Sequence, residues 1–178
     1  MMRLRIADCG LGIGAALAVT VLTAGVVRAE TIDRVLAVVA GQLIMLSDVT
    51  AARDLGLESA DGAADPIRFI LTRLIDRELM LAEVDRYGPP EPTAEAVDRE
   101  VESVRARFPS LEAFNAVLAR SGIDEKHLRE TVRQNLRMAA YLDQRFTSAA
   151  DRRQALIEEW LAGLRRRGDV IDLSLANR

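Results

Sequence analysis

Cysteine, histidine and lysine are almost missing from this 178-residue chain, and each shortage removes a kind of chemistry. The one cysteine, Cys9, lies in the first ten residues, so the rest can form no internal disulfide and no cysteine metal site. Stability must therefore come from packing. The one histidine, His127, has no second His or Cys to complete a catalytic or metal site, and reads as a surface histidine on a helix. Lys126 is the only lysine; the basic residues are otherwise arginine, and the net charge is −3. That balance argues against a nucleic-acid partner, which needs a basic face. Internal repeats and low-complexity segments are also lacking.

Charge is missing altogether from residues 10–27, a run rich in Ala, Val, Leu and Gly. Arg3 and Arg5 precede it, and Val27-Arg28-Ala29 ends it with small residues at the two positions a signal peptidase reads. The pattern predicts a Sec-type signal peptide over residues 1–29, cut between Ala29 and Glu30, and a periplasmic destination. The alternative is an uncleaved inner-membrane anchor, since the run is at the lower limit of a bilayer span. Lipidation at Cys9 is set aside, because the apolar run follows the cysteine instead of preceding it. The leader is net basic, so residues 30–178, one domain in length, are more acidic than the whole.

Residues 32–45 read as a β-hairpin, with Ala40-Gly41 as a turn in which Ala resists the positive φ required. Ser47 is expected to cap a short helix over residues 48–55, ended by Gly56. Asp65-Pro66 opens a second helix, which runs to about Arg86 and stops at Gly88-Pro89-Pro90. It is apolar on most sides, hence central, with Asp76, Arg77, Glu78 and Arg86 as its wet edge. Thr93, Ser110 and Asp124 open three more helices, the last reaching about Phe146. A sixth helix spans residues 151–167. Residues 170–175 alternate as a strand with one buried face should, Ile171, Leu173 and Leu175 lying on one side. A lone strand needs a partner, and the hairpin supplies one. The expected fold is mainly α: six helices with a small sheet built from an N-terminal hairpin and a C-terminal strand.

Residues Asp33-Arg34-Val35-Leu36-Ala37-Val38-Val39-Ala40-Gly41-Gln42-Leu43-Ile44-Met45-Leu46-Ser47-Asp48 resemble the opening of the SurA family of periplasmic chaperones. Leu74-Ile75-Asp76-Arg77-Glu78-Leu79-Met80-Leu81-Ala82-Glu83 resembles that family's central helix motif. Pro92-Thr93, Ser121-Gly122-Ile123-Asp124 and the stretch from Trp160-Leu161 to Asp172-Leu173 continue the likeness over nearly all of residues 30–178. The resemblance implies a chaperone domain with core helices over 47–146 and a C-terminal helix and strand over 151–175. Family members carry parvulin-type prolyl isomerase domains between the fifth and the C-terminal helix. Here only residues 147–150 intervene, and the histidine pair of the parvulin site has no counterpart. The implied activity is that of an ATP-independent holdase for unfolded outer-membrane or secreted proteins, with no isomerase chemistry and no cofactor. An adaptor bound to one fixed partner, or a self-associating structural protein, is the rival reading.

Phe108, Phe114, Met138 and Tyr141 are the candidate peptide contacts, because flexible Met and flat aromatic side chains repack against many sequences. The same residues also fit ordinary core positions at helical spacing. Asp98, Glu100 and Glu102 read as a solvated helix face, not as acid–base groups. Arg165-Arg166-Arg167 suits a helix C-terminus, with contact to anionic lipid left open. A homodimer formed by strand exchange at the terminal sheet is likewise open. The segment 121–138 could pass for a helix-turn-helix, but export and negative charge speak against it.

Overall fold

The computed structural model describes residues 33–147 and 150–174; the expected signal peptide and its Ala29/Glu30 cleavage point lie outside them. Two strands come first, β1 (Val35–Val39) and β2 (Gln42–Met45). Six helices follow: α1 (Leu46–Asp54), α2 (Pro66–Tyr87), α3 (Ala94–Arg105), α4 (Leu111–Ser121), α5 (Glu125–Arg145) and α6 (Ala150–Arg167). A last strand, β3 (Val170–Asp172), completes the described fold, which is mainly α as expected.

Short polar side chains start four of the helices by accepting backbone N–H groups that a first turn leaves unpaired. Asp65 accepts from Arg68 at 3.0 Å, Thr93 from Ala96 at 3.2 Å, Ser110 from Ala113 at 3.2 Å and Asp124 from His127 at 2.7 Å. Gly88 and Gly122 close α2 and α4 in the left-handed conformation. α1 departs from expectation. It begins at Leu46, and the Asp48 carboxylate accepts the Met45 N–H at 2.8 Å. Ser47 is no cap: its hydroxyl and N–H both donate to Asp33, fourteen residues earlier. A charged acceptor on the neighbouring segment outcompetes the local cap.

The sheet is antiparallel in the order β2-β1-β3. Ala40 and Gly41 turn the hairpin with φ of 48° and 82°, both positive, as a two-residue type I′ turn requires. β1 carries an irregularity between Val35 and Ala37. Beyond it, Val38 lies opposite both Leu43 and Ile171. The inner face, with Ala37, Val39 and Ile44, is buried.

β3 inverts the expected facing. Ile171 and Leu173 are 52% and 36% exposed, whereas Asp172 shares the inner face with Ala37. Arg68 of α2 explains the choice: it donates to Asp172 at 3.2 Å and to Ser174 at 2.7 Å, and so satisfies the polar set inside.

Two apolar clusters form the interior. One joins the inner sheet face to Ile70, Leu71 and Leu79 of α2 and Leu164 of α6. The other gathers Val101 and Val104 of α3, Phe114 and Leu118 of α4, and Leu128 and Val132 of α5. α1 belongs to both, giving Val49 and Ala52 to the first, and Ala51 to the second. Among the described residues no helix is long and apolar enough to cross a membrane.

Candidate functional site

α2 is the spine of the site. Both α5 and α6 pack on it, and between them an open cleft of about 710 Å³ remains. Its apolar surface comes from Met80 of α2, Met138 and Leu142 of α5, and Ile157 and Leu161 of α6. The two methionines are unbranched and adaptable, suited to a surface that must fit more than one shape.

Arginines rim this surface, and each already has partners. Arg165 donates from Nε to Asp76 Oδ1 at 2.6 Å and from Nη2 to Oδ2. Those hydrogen bonds raise the Arg165 pKa, fixing its charge. Arg77 reaches across to α5, donating to Asn135 at 2.9 Å and Gln134 at 2.7 Å, and also binds Glu78. Arg153 pairs with Asp143. Asp76, expected on the wet edge of α2, is 3% exposed. It is buried because α6 lies over it and brings its own cation.

One turn beyond Leu142, four rings converge on a single guanidinium. Arg145 lies 5.8 Å from the ring centres of Tyr87 and Tyr141, 5.7 Å from Phe146 and 5.6 Å from Trp160. It also donates to the Tyr141 hydroxyl at 3.0 Å. Burial pushes the Tyr141 phenol up in pKa, against the pull of Arg145. Cation–π attraction and ring packing thus fasten α6 to the ends of α2 and α5, beside the cleft.

The four residues expected to touch peptide do not come together. Phe114 is 0% exposed, in the second core cluster, with Phe108 half-buried against it at 5.6 Å between ring centres. Tyr141 is buried in the ring cluster. Met138 alone lines the cleft. His127 is exposed, with Nε2 3.8 Å from Asp48 Oδ1. Asp98 pairs with Arg129 and Glu102 with Arg105, so both carboxylates serve helix-to-helix or local charge pairing. No group of three or more His, Cys, Asp or Glu among the described residues is arranged to hold a metal.

Sequence reasoning missed Asp76, Arg145 and buried Arg137, which binds Asp85 of α2 at 2.8 Å. One signal for Asp76 existed: it sits three residues before Leu79 on the same face of a helix with little polar surface. No family model matches the chain, and no curated protein matches it in sequence.

Proposed function

We propose that the chain is an exported, ATP-independent chaperone-like protein that holds unfolded outer-membrane or secreted polypeptides in the cleft between α2, α5 and α6. The observation that carries this reading is the cleft itself: open, methionine-lined, and rimmed by arginines whose charges are internally balanced. Such a surface gains from apolar burial without demanding one sequence. The resemblance of residues 33–48 and 74–83 to the SurA family supports it, as does the leader-like pattern of residues 1–29. No isomerase step is included, because His127 is the one histidine of the sequence and the family's active site uses a pair. Binding is weak and many-pointed, since ordering an extended client costs entropy.

The adaptor reading has its own support. Leu43, Val38 and Ile171 lie in one row across the outer sheet face, and Leu43 is 57% exposed. A fixed partner could cover that row.

Aggregation of a urea-unfolded outer-membrane protein after dilution tests the proposal, with residues 30–178 added at equal concentration. Suppression that falls at least threefold in Met138→Gln/Ile157→Gln, with unchanged circular dichroism, supports the holdase. A folded protein that suppresses nothing overturns it and leaves the adaptor. A prolyl-peptide isomerisation rate above background would overturn the exclusion of catalysis.

A further inference from the structure

The cleft between α2, α5 and α6 has walls made only of helix, and that limits what can lie in it. Main-chain N–H and C=O groups along these three helices are spent on their own turns. An extended segment entering the cleft finds no strand edge there. Its own N–H and C=O groups would leave water without gaining main-chain partners. A helical segment brings its backbone hydrogen bonds with it and needs only an apolar seat.

The apolar surface has the matching layout. Met138 and Leu142 lie four residues apart on α5, and Ile157 and Leu161 four apart on α6. Each pair therefore makes a short row along its helix, and Met80 of α2 lies on the floor. Along α6 the cleft reaches from Arg153 to Arg165, a rise of about 18 Å, or about three helical turns. A helix of that length, laid on α2 between α5 and α6, completes a group of four packed helices.

The ion pairs at the two ends of the cleft face opposite ways. At the Arg165 end the carboxylates are the inner partners. The Asp76 side chain is 5% exposed against 50% for Arg165, and Arg73 likewise stands farther out than Glu58. Arg77, beside them, is taken up by Glu78, Gln134 and Asn135. This end shows a ligand guanidinium groups. At the Arg153 end the order is reversed. Asp143 is 72% exposed against 33% for Arg153, and exposed Glu158 is held by Gln154 at 2.8 Å. That end shows carboxylates. A helix carries about half a positive charge at its N-terminus and about half a negative charge at its C-terminus. The two ends of the cleft therefore favour one direction, with the C-terminus of the ligand at Arg73 and Arg165.

We propose, resting on the reading of this cleft as the client site, that it seats an amphipathic helix of about three turns from an unfolded exported polypeptide, its apolar stripe on Met80, Met138 and Ile157 and its C-terminal end at Arg73 and Arg165. The client orders that short helix on binding, and the entropy this costs keeps each contact weak.

The probe is the fluorescein-labelled peptide Ser-Lys-Leu-Ala-Gln-Leu-Leu-Ala-Gln-Leu-Glu-Glu, titrated by anisotropy into residues 30–178. Its leucines follow a helical period and its carboxylates lie at the C-terminal end. Two controls share its composition. Ser-Leu-Lys-Leu-Ala-Leu-Gln-Leu-Ala-Gln-Glu-Glu alternates as a strand does, and Glu-Glu-Leu-Ala-Gln-Leu-Leu-Ala-Gln-Leu-Lys-Ser reverses the charged ends. The probe is expected to bind at least tenfold tighter than the alternating control and about threefold tighter than the reversed one. Transferred nuclear Overhauser effects should show the bound probe as a helix. Carbon-13 methyl labelling of methionine locates the site without any substitution: Met80 and Met138 should shift, and Met45, on β2, should not. Met138→Gln/Ile157→Gln should weaken binding at least tenfold, and Arg73→Glu should erase the preference over the reversed peptide. Absence of binding, equal binding of the alternating control, an extended bound probe, or shifts that spare Met80 and Met138 each overturn the proposal. Equal binding of the reversed peptide overturns the direction. Aggregation suppression is scored separately. Suppression together with preference for the alternating control leaves the holdase and removes the helix; helix binding in the cleft without suppression does the reverse.

Discussion

Asp76 of α2 and Arg165 of α6 form a two-pronged ion pair in which the carboxylate is buried and the guanidinium is half in water. Burying a charge is tolerable only when a partner and hydrogen bonds come with it. Arg165→Ala strands the carboxylate. Breaking a fully buried pair costs about 3–5 kcal/mol; here, with Arg165 half-solvated, the loss should be roughly 2–3 kcal/mol. Urea unfolding checks this. In the double variant Asp76→Leu/Arg165→Leu most of that loss should return, because no charge is left without a partner.

Arg145 should act as the pin of the ring cluster. Arg145→Met keeps the stem but removes the cation facing four rings, and should cost about 1–2 kcal/mol. Trp160, the only tryptophan, reports it directly: its emission should shift to the red as the C-terminal helix loosens.

Phe114 and Met138 were equal candidates for peptide contact in the sequence, and the fold separates them. Phe114→Ala should cost about 3–5 kcal/mol by opening a hole in a packed core. Met138→Gln, on an open wall, should cost less than about 1 kcal/mol. Thermal unfolding of the two variants distinguishes a core residue from a cleft residue without any client present.

Ala40 holds a positive φ that its β-carbon disfavours. Ala40→Asn places at that position the residue type I′ turns prefer, and should stabilise by about 0.5–1 kcal/mol, visible as a raised Tm.

Two carboxylates should give pH dependences of opposite sign. Burial lifts the Glu78 pKa above the ordinary value, against Arg77. The folded state therefore binds that proton more tightly than the unfolded chain, and stability falls as pH rises from about 4.5 through the folded pKa. Burial would also lift Asp172, but the Ser174 hydroxyl and N–H, with Arg68, outweigh it and hold the carboxyl low. Its contribution is present above the unfolded value of 3.8 and is lost as pH falls through the folded pKa. Stability curves of Glu78→Gln and Asp172→Asn against pH should each flatten the corresponding limb.

Local chemistry was legible in the sequence wherever one residue decides the outcome. Asp65, Thr93, Ser110 and Asp124 cap helices from their own side chains, and Gly88 and Gly122 end them, so those boundaries follow from short segments. The terminal sheet was legible because a lone strand has few places to go. The sorting of faces was not. Ile171 and Leu173 alternate correctly for burial, yet one residue of register decides which set turns inward, and Arg68 decides it for Asp172. Asp76 looked solvated because its partner is 89 residues away. Ser47 looked like a cap because Asp33 competes only once the hairpin has folded back. The cleft itself depends on how α5 and α6 diverge from α2, which no local pattern encodes.

The central strand waits longest for its second neighbour. Six helices separate β1 from β3 along the described chain, so a chain made N-terminus first holds β1 with one open side until β3 has emerged. Over the same interval Arg68 and Asp76 lack Asp172 and Arg165. Until the segment from Arg165 to Asp172 has emerged, the polypeptide therefore carries an incompletely paired, aggregation-prone strand, and that segment is the lock that ends the exposure.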